Sequence, residues 1–358
     1  MSAPGSVLVV CTRRIGDVLL ATPLLRSLRL AWPNARIDAL VFAGTEGVLA
    51  ANPDLGSVIV VSERPTLGEQ FGLFAKLWRR YDLALSLLAG DRPILYAWVA
   101  GRRRGGMVSP ERKESWKSRL LQVRVPFDDR DTHTVRMNLK LAEALGVAAH
   151  AEVVVSWSRA DKSALEDLIP AAVRNVPYVV LHPFPKFNYK MWHVHGWVAL
   201  ARWLESKGLR VLLSGSGAVE EVAYCENIRR EAGGGPLNLA GKLSLGQLGA
   251  LLSRARLYVG PDTVVTHMAA GLGVPTVALF GPSNPVKWGP WPKGFDVRSN
   301  PWRRVGTQSA VNVRLLQGVA HCVPCMLEGC DRHIDSFSDC LQYMPAERVI
   351  AEVEHALA

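Results

Sequence analysis

Asp262, Thr263, Thr266 and His267 fall within six positions of one another. A carboxylate, two hydroxyls and an imidazole so close together can hold ligand hydroxyls, move a proton or stabilise a charged leaving group, provided that the backbone brings them to one place. The flanking sequence supplies the setting. Leu257-Tyr-Val259 reads as a strand, Gly260-Pro261 as a turn, and His267 to Leu272 as a small-residue helix for which Asp262 and Thr263 offer N-cap chemistry. Val274 to Phe280 reads as the next strand, and Gly281-Pro-Ser-Asn-Pro285 follows it as a second polar, glycine-led loop. Two such loops at neighbouring strand ends form a crevice, and a helix N-terminus there attracts anions. The plainer reading is that Asp262 and Thr263 only cap and that His267 sits on a helix surface.

A second carboxylate stands near the other end of the chain. Ser6 to Cys11 reads as a buried strand, Thr12-Arg-Arg-Ile-Gly16 as a loop, and Asp17 as the start of a helical pattern through Leu28 that Pro23 kinks. That order would set Asp17 at a sheet's carboxyl edge, with Arg13 and Arg14 beside it for an anionic acceptor; a cap is again the alternative. Strand and helix patterns then alternate, with helices expected over 45–51, 67–80, 92–100 and 132–145 and strands over 36–42, 57–61 and 82–87. Residues 113–130 show no period and read as a loop.

Residues 147–176 read as a connection, and Pro177 to Pro183 restarts the rhythm. The fold class is therefore α/β, two Rossmann-like doubly wound domains facing across a cleft. The expected boundaries are 1–160, 161–340 and a closing C-terminal helix in 341–358. No G-x-G-x-x-G follows the first strand of either half, which argues against a dinucleotide oxidoreductase.

With 358 residues, 49% hydrophobic and 21% charged, the chain is an ordinary globular protein long enough for two cores. Its apolar runs are too short to span a bilayer and no secretory segment opens it, so a cytoplasmic location is expected. The net charge of +10 is carried by clusters at Arg13-Arg14, Arg102-Arg103-Arg104, Arg112-Lys113 and Lys117 to Arg119, all in the first 130 residues. A field concentrated on one half suits an anionic glycan or glycolipid acceptor and contact with an inner-membrane surface. Nucleic acid is not expected, since no recognition motif accompanies the charge.

Ile15-Gly-Asp-Val-Leu-Leu-Ala-Thr-Pro23, Lys190-Met-Trp192, Gly260-Pro-Asp-Thr263, His267-Met-Ala-Ala270 and Val277-Ala-Leu-Phe-Gly-Pro282 together resemble glycosyltransferase family 9, the bacterial heptosyltransferases of lipopolysaccharide core assembly. The resemblance implies a GT-B fold, with the acceptor on the N-terminal domain and an ADP-sugar, typically ADP-heptose, on the C-terminal one. It implies inverting transfer with no metal on the diphosphate. Asp17 would be the general base, and Lys190 would contact the diphosphate. Glu220 or Glu221 would hold the ribose, and Asp262, Thr263 and His267 would surround the phosphates, with Thr266 and Gly281 completing the donor site. Val264 stands where the family has glycine; a β-branched residue restricts close approach and disfavours positive φ. The alternatives are an autotransporter-type protein heptosyltransferase, a GT-B sugar-nucleotide epimerase and a non-catalytic sugar-nucleotide or metal-binding protein.

Of six cysteines, Cys11 and Cys225 read as small core residues. Cys322, Cys325, Cys330 and Cys340 crowd into nineteen residues. A C-x2-C pair followed by two more thiols predicts a structural tetrathiolate site for zinc or iron, with His321 or His333 as substitute ligands. Comparable C-terminal cysteine sets occur in the resembled family, and its iron-binding autotransporter heptosyltransferases are relatives. His182, His193 and His195 are further candidates for lining the cleft.

Overall fold

The computed structural model describes residues 3–109, 111, 115–174 and 176–358. These divide into two compact units, 1–156 with 296–300 and 157–295 with 301–358. In the first unit the chain runs β1 (Ser6–Cys11), α1 (Ile15–Leu19), α2 (Thr22–Ala31), β2 (Arg36–Phe42), β3 (Ser57–Val61), α3 (Leu67–Leu77) and β4 (Tyr81–Ser86). It continues through α4 (Asp91–Ala100), β5 (Gly101–Val108), α5 (Ser115–Ser118), β6 (Val123–Pro126) and α6 (Thr134–Ala144). The strands pair in parallel in the order β3-β2-β1-β4-β5-β6. This is the order of a doubly wound dinucleotide-type sheet, whose direction reverses between β1 and β4. Apolar residues cover both faces of the strands, and Leu8, Val10, Leu40, Tyr81 and Tyr96 form one buried layer.

The second unit repeats the plan. It contains α7 (Arg159–Leu168), α8 (Ala171–Arg174), β7 (Tyr178–Leu181), α9 (Val194–Ser206), β8 (Arg210–Leu213), α10 (Val219–Glu231), β9 (Leu237–Asn238) and α11 (Leu245–Leu252). After these come β10 (Leu257–Pro261), α12 (Val264–Leu272), β11 (Thr276–Phe280), α13 (Pro285–Trp288), β12 (Gln308–Ala310), β13 (Val313–Gln317), α14 (Asp339–Gln342) and α15 (Ala346–Leu357). The sheet order is β12-β13-β11-β10-β7-β8-β9, with only the β12 edge antiparallel. Its switch point lies between β7 and β10. Trp192 and Trp197, both fully buried, fill the layer between the sheet and α9, α10 and α15.

Several expectations shift in the structure. The helix begun at Asp17 is two helices, broken at Leu20-Ala21, because Pro23 occupies the first turn of α2 where a missing N–H costs nothing. Arg102-Arg103-Arg104 lies on β5, where Gly101, Gly105 and Gly106 let that strand lie against β4; a Cβ on Gly101 would sit 2.8 Å from that of Ala84. The 113–130 segment supplies β6, whose alternating burial a four-residue strand is too short to announce. Arg112 and Lys113 lie outside the described residues.

Candidate active site

The residues singled out around Asp262 meet at the second unit's switch point. β10 ends at Pro261, so Asp262 is delivered to the carboxyl edge of the sheet, and α12 starts two residues later. Neither Asp262 nor Thr263 caps α12 through its side chain; Thr263 is the N-cap residue without such a bond. The Asp262 carboxylate instead accepts from Lys190 Nζ at 2.5 Å, and Lys190 also reaches the Asp262 carbonyl at 3.4 Å. Burial pushes the Asp262 pKa up, but Lys190, His267 and the Ser283 hydroxyl outweigh it and hold the carboxyl below its ordinary range.

His267, on the first turn of α12, places Nε2 3.9 Å from the other Asp262 oxygen. Burial drives its pKa down to about 4 and the neighbouring Lys190 adds to this, against the pull of Asp262, so the imidazole is neutral at pH 7. Its Nδ1 is buried without a hydrogen-bond partner. A lysine, a carboxylate and a neutral imidazole are thus fixed in a nearly dry corner at a helix N-terminus. That is a preorganised field for a diphosphate and for hydroxyls beside it.

Lys190 closes a short turn over residues 188–190, and the residues around it are tied to the C-terminal segment. Trp192 Nε1 donates to the Met344 carbonyl at 2.8 Å, Gln342 Nε2 donates to the Met191 carbonyl at 2.8 Å, and Asn188 Nδ2 donates to the Asp335 carbonyl at 3.1 Å. The same segment underlies the second loop: a Cβ on Gly281 would lie 2.7 Å from Leu341 and 3.2 Å from Cys340 Sγ. Gly281 is therefore required by close packing.

Thr266 is fully buried, its hydroxyl donating to the Pro261 carbonyl at 2.5 Å and meeting Tyr258 Oη at 2.9 Å. It braces the turn from behind. Glu221 accepts from the Ser216 N–H at 2.5 Å and so shapes the loop after β8, while Glu220 beside it is exposed. His182 and Ser214, at the ends of β7 and β8, meet at 3.0 Å, both buried, and burial pushes the His182 pKa down to about 4. His193 caps α9 through its side chain, accepting from Gly196 N–H, and His195 is exposed near Glu231. Val264 takes the first helical position of α12 in ordinary right-handed backbone, so its branching costs no strain.

Asp17 belongs to the first unit. It is the third residue of α1, behind Arg14 as N-cap residue, and Arg13 Nη1 stands 3.8 Å from it. At the same carboxyl edge Thr12, Phe42, Glu63, Arg64, Asp91, Arg92 and Pro93 line a cavity of about 420 Å³. These residues follow β1, end β2, follow β3 and open α4. Arg92 donates to the Glu63 carbonyl at 2.7 Å and lies over the Phe42 ring, while buried Lys117 pairs with Asp91 at 2.6 Å. Arg64, Arg92 and Lys117 were absent from the sequence-based site. The only signal for Arg64 and Arg92 was position after successive strands, whereas Lys117 stood out only as part of a basic cluster.

Cys322, Cys325, Cys330 and Cys340 are free thiols, and among the described residues no three His, Cys, Asp or Glu side chains stand close enough to hold a metal ion. The expected tetrathiolate set is therefore not assembled. Cys340 is buried under Gly281 and Gly318, whereas Cys322 and Cys330 are exposed. Cys330 and Cys340 are nonetheless drawn together, since the Asp339 N–H donates to Cys330 Sγ at 3.4 Å, and Val319 N–H donates to the Cys340 carbonyl at 3.0 Å. Burial, then the other three thiols, raises the Cys340 pKa to about 12.

Residues 74–308 match the model of glycosyltransferase family 9 (heptosyltransferase). The chain belongs to this family. This family 9 glycosyltransferase is 27% identical over 293 residues to lipopolysaccharide heptosyltransferase 3 of Escherichia coli K12, covering 77% of this chain and 82% of that one. Its fold is similar to that of a family 9 glycosyl transferase from Veillonella parvula, with a TM-score of 0.79, 19% identity and 99% and 97% of the two chains covered. It is also similar to that of the E. coli ADP-heptose lps heptosyltransferase II, with a TM-score of 0.73, 21% identity and 98% of each chain covered. The Asp17 motif and the cysteine segment lie outside the 74–308 stretch that the family model matches.

Proposed function

We propose that this glycosyltransferase moves a heptose from an ADP-activated donor to a hydroxyl of a lipopolysaccharide core-type glycan, with inversion at the anomeric carbon. The observation that carries the reading is the buried Lys190–Asp262–His267 cluster at the N-terminus of α12. In the proposed reaction Asp17 takes the proton of the acceptor hydroxyl as its oxygen bonds to the anomeric carbon. The carbon–oxygen bond to the diphosphate breaks, and the charge that develops on ADP is met by Lys190 and the backbone amides of α12. Asp262, Thr263 and His267 surround the phosphates and the sugar next to them, Asp262 accepting from the sugar's hydroxyls and Thr263 donating to a phosphate, and Glu220 or Glu221 holds the ribose.

The cavity bearing Arg64 and Arg92, with Arg13 and Arg14 near Asp17, suits the anionic groups of a glycan or glycolipid acceptor. The names of the similar proteins, lipopolysaccharide heptosyltransferase 3 and an ADP-heptose lps heptosyltransferase, support the same donor and acceptor. No metal acts on the diphosphate in this scheme, and the enzyme works in the cytoplasm at the inner-membrane surface. No described helix is long and apolar enough to cross a membrane.

Thermal stabilisation and slow hydrolysis of a panel of ADP-, GDP- and UDP-sugars test the donor. ADP-heptose should give the largest shift; stabilisation by UDP-sugars alone would overturn the assignment. A structural zinc or iron clip at Cys322, Cys325, Cys330 and Cys340 belongs to the proposal, because the donor set is soft and Cys330 and Cys340 are drawn together. Such an ion would tie the loop to the buried Cys340. Untagged protein without stoichiometric zinc or iron would end that part alone.

A further inference from the structure

The outward face of α3 is apolar. Leu67 is 80% exposed, Phe71 70% and Trp78, just past the helix, 58%. Leu67, Phe71 and exposed Ala75 follow the i, i+4, i+8 spacing of one stripe, and Trp78 follows just past the helix end, so the helix turns to solvent the side that a surface helix ordinarily buries. Only Leu77 of α3 is fully buried. Glu69, the helix's one acidic residue, is used in a capping box with Thr66. Lys76, Arg79 and Arg80 are exposed around the stripe's end, and Arg104 lies over Trp98, which meets Trp78 edge to face. Arg79 adopts a left-handed backbone, φ 46°, and its N–H donates to the Val99 carbonyl, which fixes the turn that carries Trp78 outward. A non-glycine residue in that region is strained, and the strain persists where the surroundings demand the conformation.

We propose that α3 is the docking surface of this enzyme for an anionic lipid bilayer, with Leu67, Phe71 and Trp78 inserted among the acyl chains and Lys76, Arg79 and Arg80 at the headgroups. An apolar stripe, an interfacial tryptophan and flanking cations are the features of a helix that lies in the interface plane. A second copy of the chain fits worse, because a two-fold contact through this stripe would set the same cations against one another. The surface also leads to the acceptor cavity. Glu63 and Arg64 immediately precede the α3 cap, and α4, on which α3 packs, opens with Asp91 and Arg92. A glycolipid headgroup at the docked membrane would thus be presented to the arginines that line the cavity. The inference extends the membrane-surface reading above to a named element.

Sedimentation with vesicles tests it without donor or acceptor, so its outcome is separable from that of the transfer reaction. The protein should partition onto vesicles of phosphatidylcholine containing phosphatidylglycerol, and hardly onto phosphatidylcholine alone. High salt should weaken the binding, since each cation near the surface contributes about a fivefold factor. Phe71→Ser, alone and with Leu67→Ser, should lower partition at least about tenfold with an unchanged melting temperature, since full insertion of the two side chains is worth roughly a hundredfold. Lys76→Glu with Arg80→Glu should lower it and flatten the salt dependence. No partition onto the anionic vesicles, or undiminished partition of the serine variants, would overturn the proposal. So would a concentration-dependent dimer lost in Phe71→Ser without vesicle binding, which would assign the stripe to a second copy.

Discussion

The two sheets share the order of their first five parallel strands, and their carboxyl edges are finished in different ways. At the second unit's switch point the buried carboxylate of Asp262 is already paired with the mostly buried Lys190, and the neutral His267 stands beside it. At the first unit's edge Arg13 is 43% exposed and 3.8 Å from Asp17, and arginines border a polar cavity. A buried pair acts as a fixed field, strong because little water screens it. An edge bordered by exposed arginine and a polar cavity can adjust to a branched anionic partner, with the mostly buried Asp17 carboxylate beside it. The same fold thus provides one edge with a fixed field and one that can adjust, the division that the proposed transfer would use.

The comparison breaks most visibly at the two carboxylates. Asp17→Asn should lower turnover by about a hundred- to ten-thousand-fold, the usual worth of positioned proton transfer, and leave the donor Kd within about twofold. Single-turnover kinetics with calorimetric donor titration separate the two; normal turnover would reduce Asp17 to a helix residue. In the second unit the first effect should be on stability. Lys190→Met strands a buried carboxylate and should cost about 3 kcal/mol in urea unfolding, with donor affinity reduced at least tenfold. Adding Asp262→Asn should restore much of the stability and none of the binding. Arg13→Ala, by contrast, should cost less than about 1 kcal/mol, since Arg13 is 43% exposed and as far as 3.8 Å from Asp17.

How much of this was legible follows from what periodicity and spacing can carry. The β-α alternation and the placing of Asp17 and Asp262 at strand ends were readable, because parallel strands buried on both faces are continuous apolar runs. β5 was hidden because Arg102, Arg103 and Arg104 look like a solvated run and its glycines look like a loop. Lys190 needed the family resemblance, since only long-range folding brings it from residue 190 to 2.5 Å from Asp262. The capping alternative for Asp262 could not be settled by sequence, because a free cap and a carboxylate held by a lysine have the same local signature.

The buried histidines sharpen the contrast through pH. His182 and His267 have their pKa pushed from 6.5 to about 4 by burial, so the unfolded chain binds protons before the folded one does. Stability they contribute is complete above pH 6.5 and is lost as pH falls towards 4, by on the order of 3 kcal/mol for each. Urea midpoints across pH 7.5 to 4.5 should show the loss, and His182→Gln should make the slope shallower by about half. An unchanged slope would mean that His182 charges freely in the folded protein.

The smallest effect isolates what makes the second unit rigid. Gln342 donates to the carbonyl of Met191, the residue after Lys190. Its role is to hold the Lys190 turn from behind, together with the Trp192 bond to Met344. Gln342→Met keeps the length of the side chain and removes one hydrogen bond, worth about 1 kcal/mol. If that bond positions Lys190, donor KM should rise about fivefold with kcat nearly unchanged and a melting temperature lowered by only a few degrees. If the bond serves stability alone, the melting temperature should fall with KM unmoved. In that case Lys190 would owe its position to Asp262 rather than to the C-terminal segment, and the contrast between the two edges would rest on the ion pair alone.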